Sequence, residues 1–184
     1  MKIQWKNRLQ KMVIVGVFAA VMAVLSQISV PLPTGVPVTL QTFAVALCGY
    51  VLGAPMGCLA LAVYLALGAV GLPVFAGFSG GIGALAGMTG GFLWGFLLMG
   101  LLCGLGASQR KRWLALALGL AGLAVCDLCG ALQFSLVTST SLPQAFLTAC
   151  LPYLIKDVIS VAASYFVAQT VLYALKRSGL VMEA

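Results

Sequence analysis

Apolar runs cover most of the chain and are broken at Pro and Gly clusters and at charges. The breaks delimit six candidate spans, at about 12–28, 39–52, 56–72, 82–105, 113–135 and 144–175. A helix needs about 20 apolar residues to cross a roughly 30 Å hydrocarbon core. The second and third spans are short by that measure and are expected to be tilted or partly interfacial. The last is overlong, and Pro152 is expected to break it, because proline lacks a backbone N–H and clashes with the preceding turn.

Composition turns these spans into membrane helices. Of 184 residues, 62% are apolar and only 7% charged, against roughly 25% charged in a soluble domain. Nine of the ten basic residues fall in three clusters. Lys2, Lys6, Arg8 and Lys11 precede span one, Arg110, Lys111 and Arg112 separate spans four and five, and Lys176 and Arg177 follow span six. With six crossings all three clusters share one side, which the positive-inside rule makes the cytoplasm. The loops at 29–38, 73–81 and 136–143 carry no charge and fall outside. The formal charge of +7 therefore reads as topology, not as a nucleic-acid surface. The expected fold is an all-α integral membrane protein of six transmembrane helices, both termini cytoplasmic, forming a single domain over 1–184 in the cell membrane. A cleaved signal peptide competes for the first span, but that run is slightly long and no clear A-x-A site follows it.

Several chemistries drop out. There is no histidine, and the six cysteines lie in apolar segments without zinc-ligand spacing, so no metal site is expected. Cys126 and Cys129 form a C-x-x-C inside a membrane helix that offers nothing to activate a thiol. No G-x-x-x-x-G-K-[ST] occurs to cradle ATP phosphates. Gly81, Gly83 and Ala86 match a G-x-G-x-x-A loop only in spacing, since no βαβ unit surrounds them. Gly83, Gly87, Gly91 and Gly95 instead suggest a groove for close helix packing. Binding or transport is expected, not catalysis, and no cofactor.

The candidate binding residues are the polar ones that apolar spans retain at a cost. In LPYLIKDVIS, at 151–160, Tyr153, Asp157, Ser160 and Ser164 share one helical face, so a polar stripe descends from the outer loops. Lys156 points about 100° away and flanks the stripe or turns outward. The pair Lys156 and Asp157 reads either as a structural ion pair or as a ligand site. Asp127, in span five, pairs with Lys156 across helices, titrates, or faces a wet cavity. Span one carries small residues at Gly16, Ala19, Ala20 and Ala23, suited to internal packing or to docking a partner helix. Two other function classes fit these features: an ion-coupled secondary transporter built on Asp127 and Asp157, weakened by the lack of an evident inverted repeat, and a membrane scaffold without ligand.

Three blocks carry a family resemblance: PVTLQTFAVALCGYVLG at 37–53, YLALGAVGLPVFAGFSGGIGALAGMTGGF at 64–92, and LPYLIKDVIS. In their order and spacing the chain resembles the BioY-type biotin-binding subunits of energy-coupling factor transporters. The resemblance implies six helices and a biotin pocket near the outer face, covered by the loop after span one. It assigns the binding acid to Asp157, puts Thr39, Gln41 and Thr42 near the lid, and makes Phe75, Gly77 and Ser79 a pocket wall. Phe75, Tyr153 or Trp94 would pack the ligand's rings. Lys156 and Ser160 depart from the family's usual glycine and lysine at those places, and Asp127 replaces a common aromatic. The resemblance further implies biotin as the transported ligand, a membrane coupling subunit and two cytosolic ATPases as partners, and a docking motif at Ala19 and Ala23.

Overall fold

A computed structural model describes residues 3–5, 7–33, 35–179 and 181–183. Lys2 and Lys6 of the first basic cluster lie outside the described residues. Among the described residues eight α-helices form the body: α1 (Arg8–Gln27), α2 (Gln41–Leu52), α3 (Ala54–Ala69), α4 (Ile82–Ala86), α5 (Gly90–Ala107), α6 (Arg112–Thr138), α7 (Leu142–Ala149) and α8 (Leu154–Arg177). Two small ladders complete it. β1 (Ile3–Trp5) pairs antiparallel with β4 (Val181–Glu183), which brings the two ends of the chain together. β2 (Ser29–Val30) pairs with β3 (Val38–Thr39) and makes a hairpin of the segment between α1 and α2.

Length and hydropathy qualify α1, α5, α6 and the broken α7–α8 segment as membrane-crossing elements. At 1.5 Å per residue α2 and α3 reach only about 18 and 24 Å. They form a hairpin through Gly53, whose φ of 76° is costly for any residue with a Cβ. Pro55 then starts α3 without wasting a backbone donor.

Helix α2 is the hub. Ten of its twelve residues are buried, as expected of a helix apolar all round, and it packs on α5, α8, α3 and α1. The Tyr50 hydroxyl donates to the Ala115 carbonyl at 3.1 Å and so ties α2 to α6. Glycine sets the closest approaches. A Cβ added at Gly95 would stand 2.8 Å from the Cα of Cys126, so α5 and α6 touch backbone to backbone there.

The sequence stripe of four glycines is not one groove. α4 ends at Ala86 and Gly87 is extended, so Gly83 faces open space while Gly91 and Gly95 meet α6. The break needs partners for its freed carbonyls, since lipid supplies none. Gln133 of α6 donates its amide to the Leu85 and Gly87 carbonyls, at 2.8 and 2.7 Å. The last span is broken where Pro152 stands, by a 3-10 turn over Leu151–Tyr153.

Candidate ligand-binding site

A cavity of about 260 Å³ lies between the β2–β3 hairpin, the 70–81 loop, the first turns of α2, α5 and α8, and the middle of α6. It sits just below the roughly 300–1,000 Å³ usual for small-molecule pockets. Each wall is held by a specific bond.

The hairpin side is tied down by α8. Tyr153 donates its hydroxyl to the Val36 carbonyl at 2.6 Å, and Lys156 donates its ammonium to the Thr39 carbonyl at 2.8 Å. Behind Thr39 the polar groups are chained. Its hydroxyl donates to Gln41 Oε1 at 3.0 Å, and Gln41 Nε2 donates to the buried Tyr64 hydroxyl at 3.0 Å. Thr42 lines the cavity from the next position.

The opposite wall comes from the 70–81 loop, which α1 anchors. Ser26 donates to the Val74 carbonyl, and Gln27 both donates to the Phe75 carbonyl, at 3.1 Å, and accepts from the Phe78 amide, at 2.9 Å. Phe75 is thereby pinned inward, edge-on to Tyr64 with ring centroids 5.4 Å apart. Gly68 is required behind it, because a Cβ there would land in the Phe75 ring. Phe92, Leu93 and Phe96 of α5 supply the remaining apolar surface.

Three charged side chains face this space: Asp127, Lys156 and Asp157. Asp157 sits in the first turn of α8, where the positive end of the helix dipole favours a carboxylate. It forms an ion pair with Lys156, but its buried Oδ1 accepts no well-directed hydrogen bond among the described residues. The pairing is one of charge proximity between sequence neighbours, and it leaves carboxylate lone pairs for another donor.

Nine of the candidate binding residues named from sequence therefore surround one cavity: Thr39, Gln41, Thr42, Phe75, Ser79, Asp127, Tyr153, Lys156 and Asp157. Ser160 is not among them. It lies buried nearly a turn further along α8, and Ser164 beyond it bonds back to the Val161 carbonyl at 2.8 Å, so the polar stripe lines the cavity at Tyr153 and Asp157 and then continues past it into the bundle. Trp94 also falls away. It is exposed on the far side of α5, because positions 92 and 96 share a face and 94 is about 200° from 92. Gly77 belongs to the loop but not to the lining. Sequence reasoning missed Phe92, Phe96, Thr89 and Ala149, and the anchors Gln27 and Gln133. An i, i+4 aromatic pair was the available signal for the first two.

Ala19 and Ala23 do not make an outward face. Ala19 is 2% exposed and packs into the chain's own core, and Ala23 is half-buried against it. The outward small residues of α1 are Gly16, with nothing within 4 Å of an added Cβ, and Ala20.

A helical bundle with several membrane-length apolar elements, enclosing a small cavity that is aromatic on one side and charged on another, defines a multi-pass membrane protein with a ligand-sized site. Residues 1–177 match the BioY family, and the chain belongs to that family. It is 39% identical over 156 residues to the probable biotin transporter BioY of Pyrococcus horikoshii, covering 85% of this chain and 92% of that one. It is 38% identical over 161 residues to the biotin transporter BioY of Thermotoga maritima, covering 87% and 94%. The crystal structure of the S-component for biotin from an ECF-type ABC transporter shares its fold, with a TM-score of 0.83 at 22% identity over 91% of this chain and 94% of that one.

Proposed function

We propose that the chain captures biotin at the outer face of the cytoplasmic membrane, as the substrate-binding S component of an energy-coupling factor transporter. The observation that carries this reading is the cavity: a buried carboxylate with free lone pairs, a lysine and an aromatic wall together under a tethered hairpin, in a member of a family whose relatives are biotin transporters.

Biotin matches that lining group by group. Its ureido ring offers two N–H donors and one carbonyl acceptor, its thiophane ring is apolar, and its valerate tail ends in a carboxylate. Asp157 accepts a ureido N–H, and Phe75, Phe92 and Phe96 pack the rings. Thr42, whose hydroxyl makes no hydrogen bond among the described residues, supplies a donor near the hairpin. Entry requires the hairpin to lift. The bonds that hold it down start from Tyr153 and Lys156, which themselves line the cavity, so ligand contact and lid closure act on the same side chains.

Topology follows from charge and from the pairing of the chain ends. α1, α2, α3, α4–α5, α6 and α7–α8 make six crossings, an even number consistent with β1 against β4. The described basic residues Arg8, Lys11, Arg110, Lys111, Arg112, Lys176 and Arg177 then face the cytoplasm. A cysteine placed at Lys111 in a cysteine-free background is expected to resist an impermeant thiol reagent added to intact cells. Ready labelling from outside would invert the map.

The sequence has no P-loop, so ATP is used elsewhere: by two cytosolic ATPases acting through a membrane coupling subunit. Uptake of labelled biotin by cells carrying all the subunits is expected to stop on ATP depletion and to survive collapse of proton and sodium gradients. Loss on gradient collapse with ATP maintained would favour a secondary transporter instead.

A further inference from the structure

We infer that Asp127 is a second ligand-contacting carboxylate, which with Lys156 and Asp157 reads the N–H, C=O, N–H edge of a cyclic urea. The inference rests on the biotin reading above and assigns a role to a residue that reading leaves unused.

Asp127 stands in the middle of α6, 6% exposed, and lines the cavity. Its backbone carbonyl accepts from the Cys150 thiol at 3.4 Å, which fixes this part of α6 against the end of α7. Its carboxylate, by contrast, takes part in no hydrogen bond or ion pair among the described residues. The Lys156 ammonium makes its direct contacts elsewhere, with Asp157 and the Thr39 carbonyl. A polar group buried at this depth in a membrane helix calls for a donor, and the cavity is where one can arrive.

The three charged groups match a cyclic urea in sequence of character. The ligand edge runs donor, acceptor, donor; the cavity offers two carboxylates and one ammonium. On this assignment Asp157 and Asp127 each accept one ureido N–H and Lys156 donates to the carbonyl. The same set disfavours a carboxylate among its members, so the valerate tail points away, toward the hairpin residues Gly35, Val36 and Pro37 at the cavity's edge.

The test compares the parent and Asp127→Asn, purified and checked for folding by gel filtration and thermal melting, with four probes at neutral pH. These are biotin, biotinamide with its neutral tail, and the two carbamate analogues of biotin in which one or the other ureido N–H is replaced by oxygen while the carbonyl is kept. The substitution should weaken biotin and biotinamide alike, by about tenfold, and should weaken much less the one carbamate that lacks the N–H facing Asp127. A purely structural role would move all four equally. Equal losses, no loss, or tighter binding of biotin alone, which would put Asp127 beside the tail, each overturn the inference. Failure of the folded parent to bind biotin overturns the underlying reading instead. Should Asp127→Asn not fold, Asp127→Ser is read by the same criteria.

Discussion

Asp157→Asn is expected to lower biotin affinity at least about tenfold and as much as several hundredfold. The substitution keeps the side-chain shape but removes the charge and turns one of two acceptor oxygens into a donor. In the parent, Asp157 is 7% exposed and its Oδ1 has no directed hydrogen bond among the described residues, so the acceptor is in place before the ligand arrives. A hydrogen bond to a charged group contributes roughly 1.5–3 kcal/mol, and a mispaired buried donor adds a further loss. At about 1.4 kcal/mol per decade those figures give the stated range. Lys156 amplifies the effect, since among the described residues it is then left with the Thr39 carbonyl alone and the hairpin tether weakens with the loss of its counter-ion. Equilibrium binding to the gel-filtered variant is the check, and affinity within about threefold of the parent would remove Asp157 from the site.

Replacing Gly16 and Ala20 together by leucine is expected to abolish coupled uptake while leaving biotin binding to the isolated chain unchanged. α1 is the least enclosed of the four long apolar elements. Both residues face outward, and among the described residues nothing beyond the helix's own backbone and the chain neighbours lies within 4 Å of a Cβ at Gly16. Leucine is therefore accommodated in the free chain, yet it holds a partner helix away where small residues would let backbones approach. Ala19→Leu makes the contrast. That side chain is 2% exposed in the core, so bulk there overpacks the chain itself and should lower stability and binding along with uptake. Unimpaired uptake by the outward double variant would place the coupling surface elsewhere.

Which features were legible in the sequence follows from what the bilayer makes costly. Charges and proline are costly, so the basic clusters, the break at Pro152 and the three charged residues that line the cavity, Asp127, Lys156 and Asp157, could be picked out directly. Apolar surface costs nothing in lipid, so the rotational phase of a greasy helix leaves no mark. That is why the sequence does not reveal that Ala19 turns into the bundle while Gly16 and Ala20 face outward on α1, or that Phe92 and Phe96, not Trp94, face the cavity from α5. The interruption at Gly87 was hidden for a related reason. Glycine is common in continuous membrane helices, and the group that makes this break tolerable, the Gln133 amide, comes from another helix. The lid was legible only through resemblance, since its tether joins Tyr153 to Val36 across 117 positions. Ser160 kept the right spacing but lies beyond the cavity's reach, a matter of depth that periodicity does not encode.

Equilibrium titration of the purified, gel-filtered chain with labelled biotin, displaced by unlabelled biotin, tests the capture function most directly, because it needs neither the coupling subunit nor ATP. Saturable binding approaching one biotin per chain, displaced by biotin and not by an unrelated vitamin, is the expected result. A folded chain that shows no saturable biotin binding would contradict it.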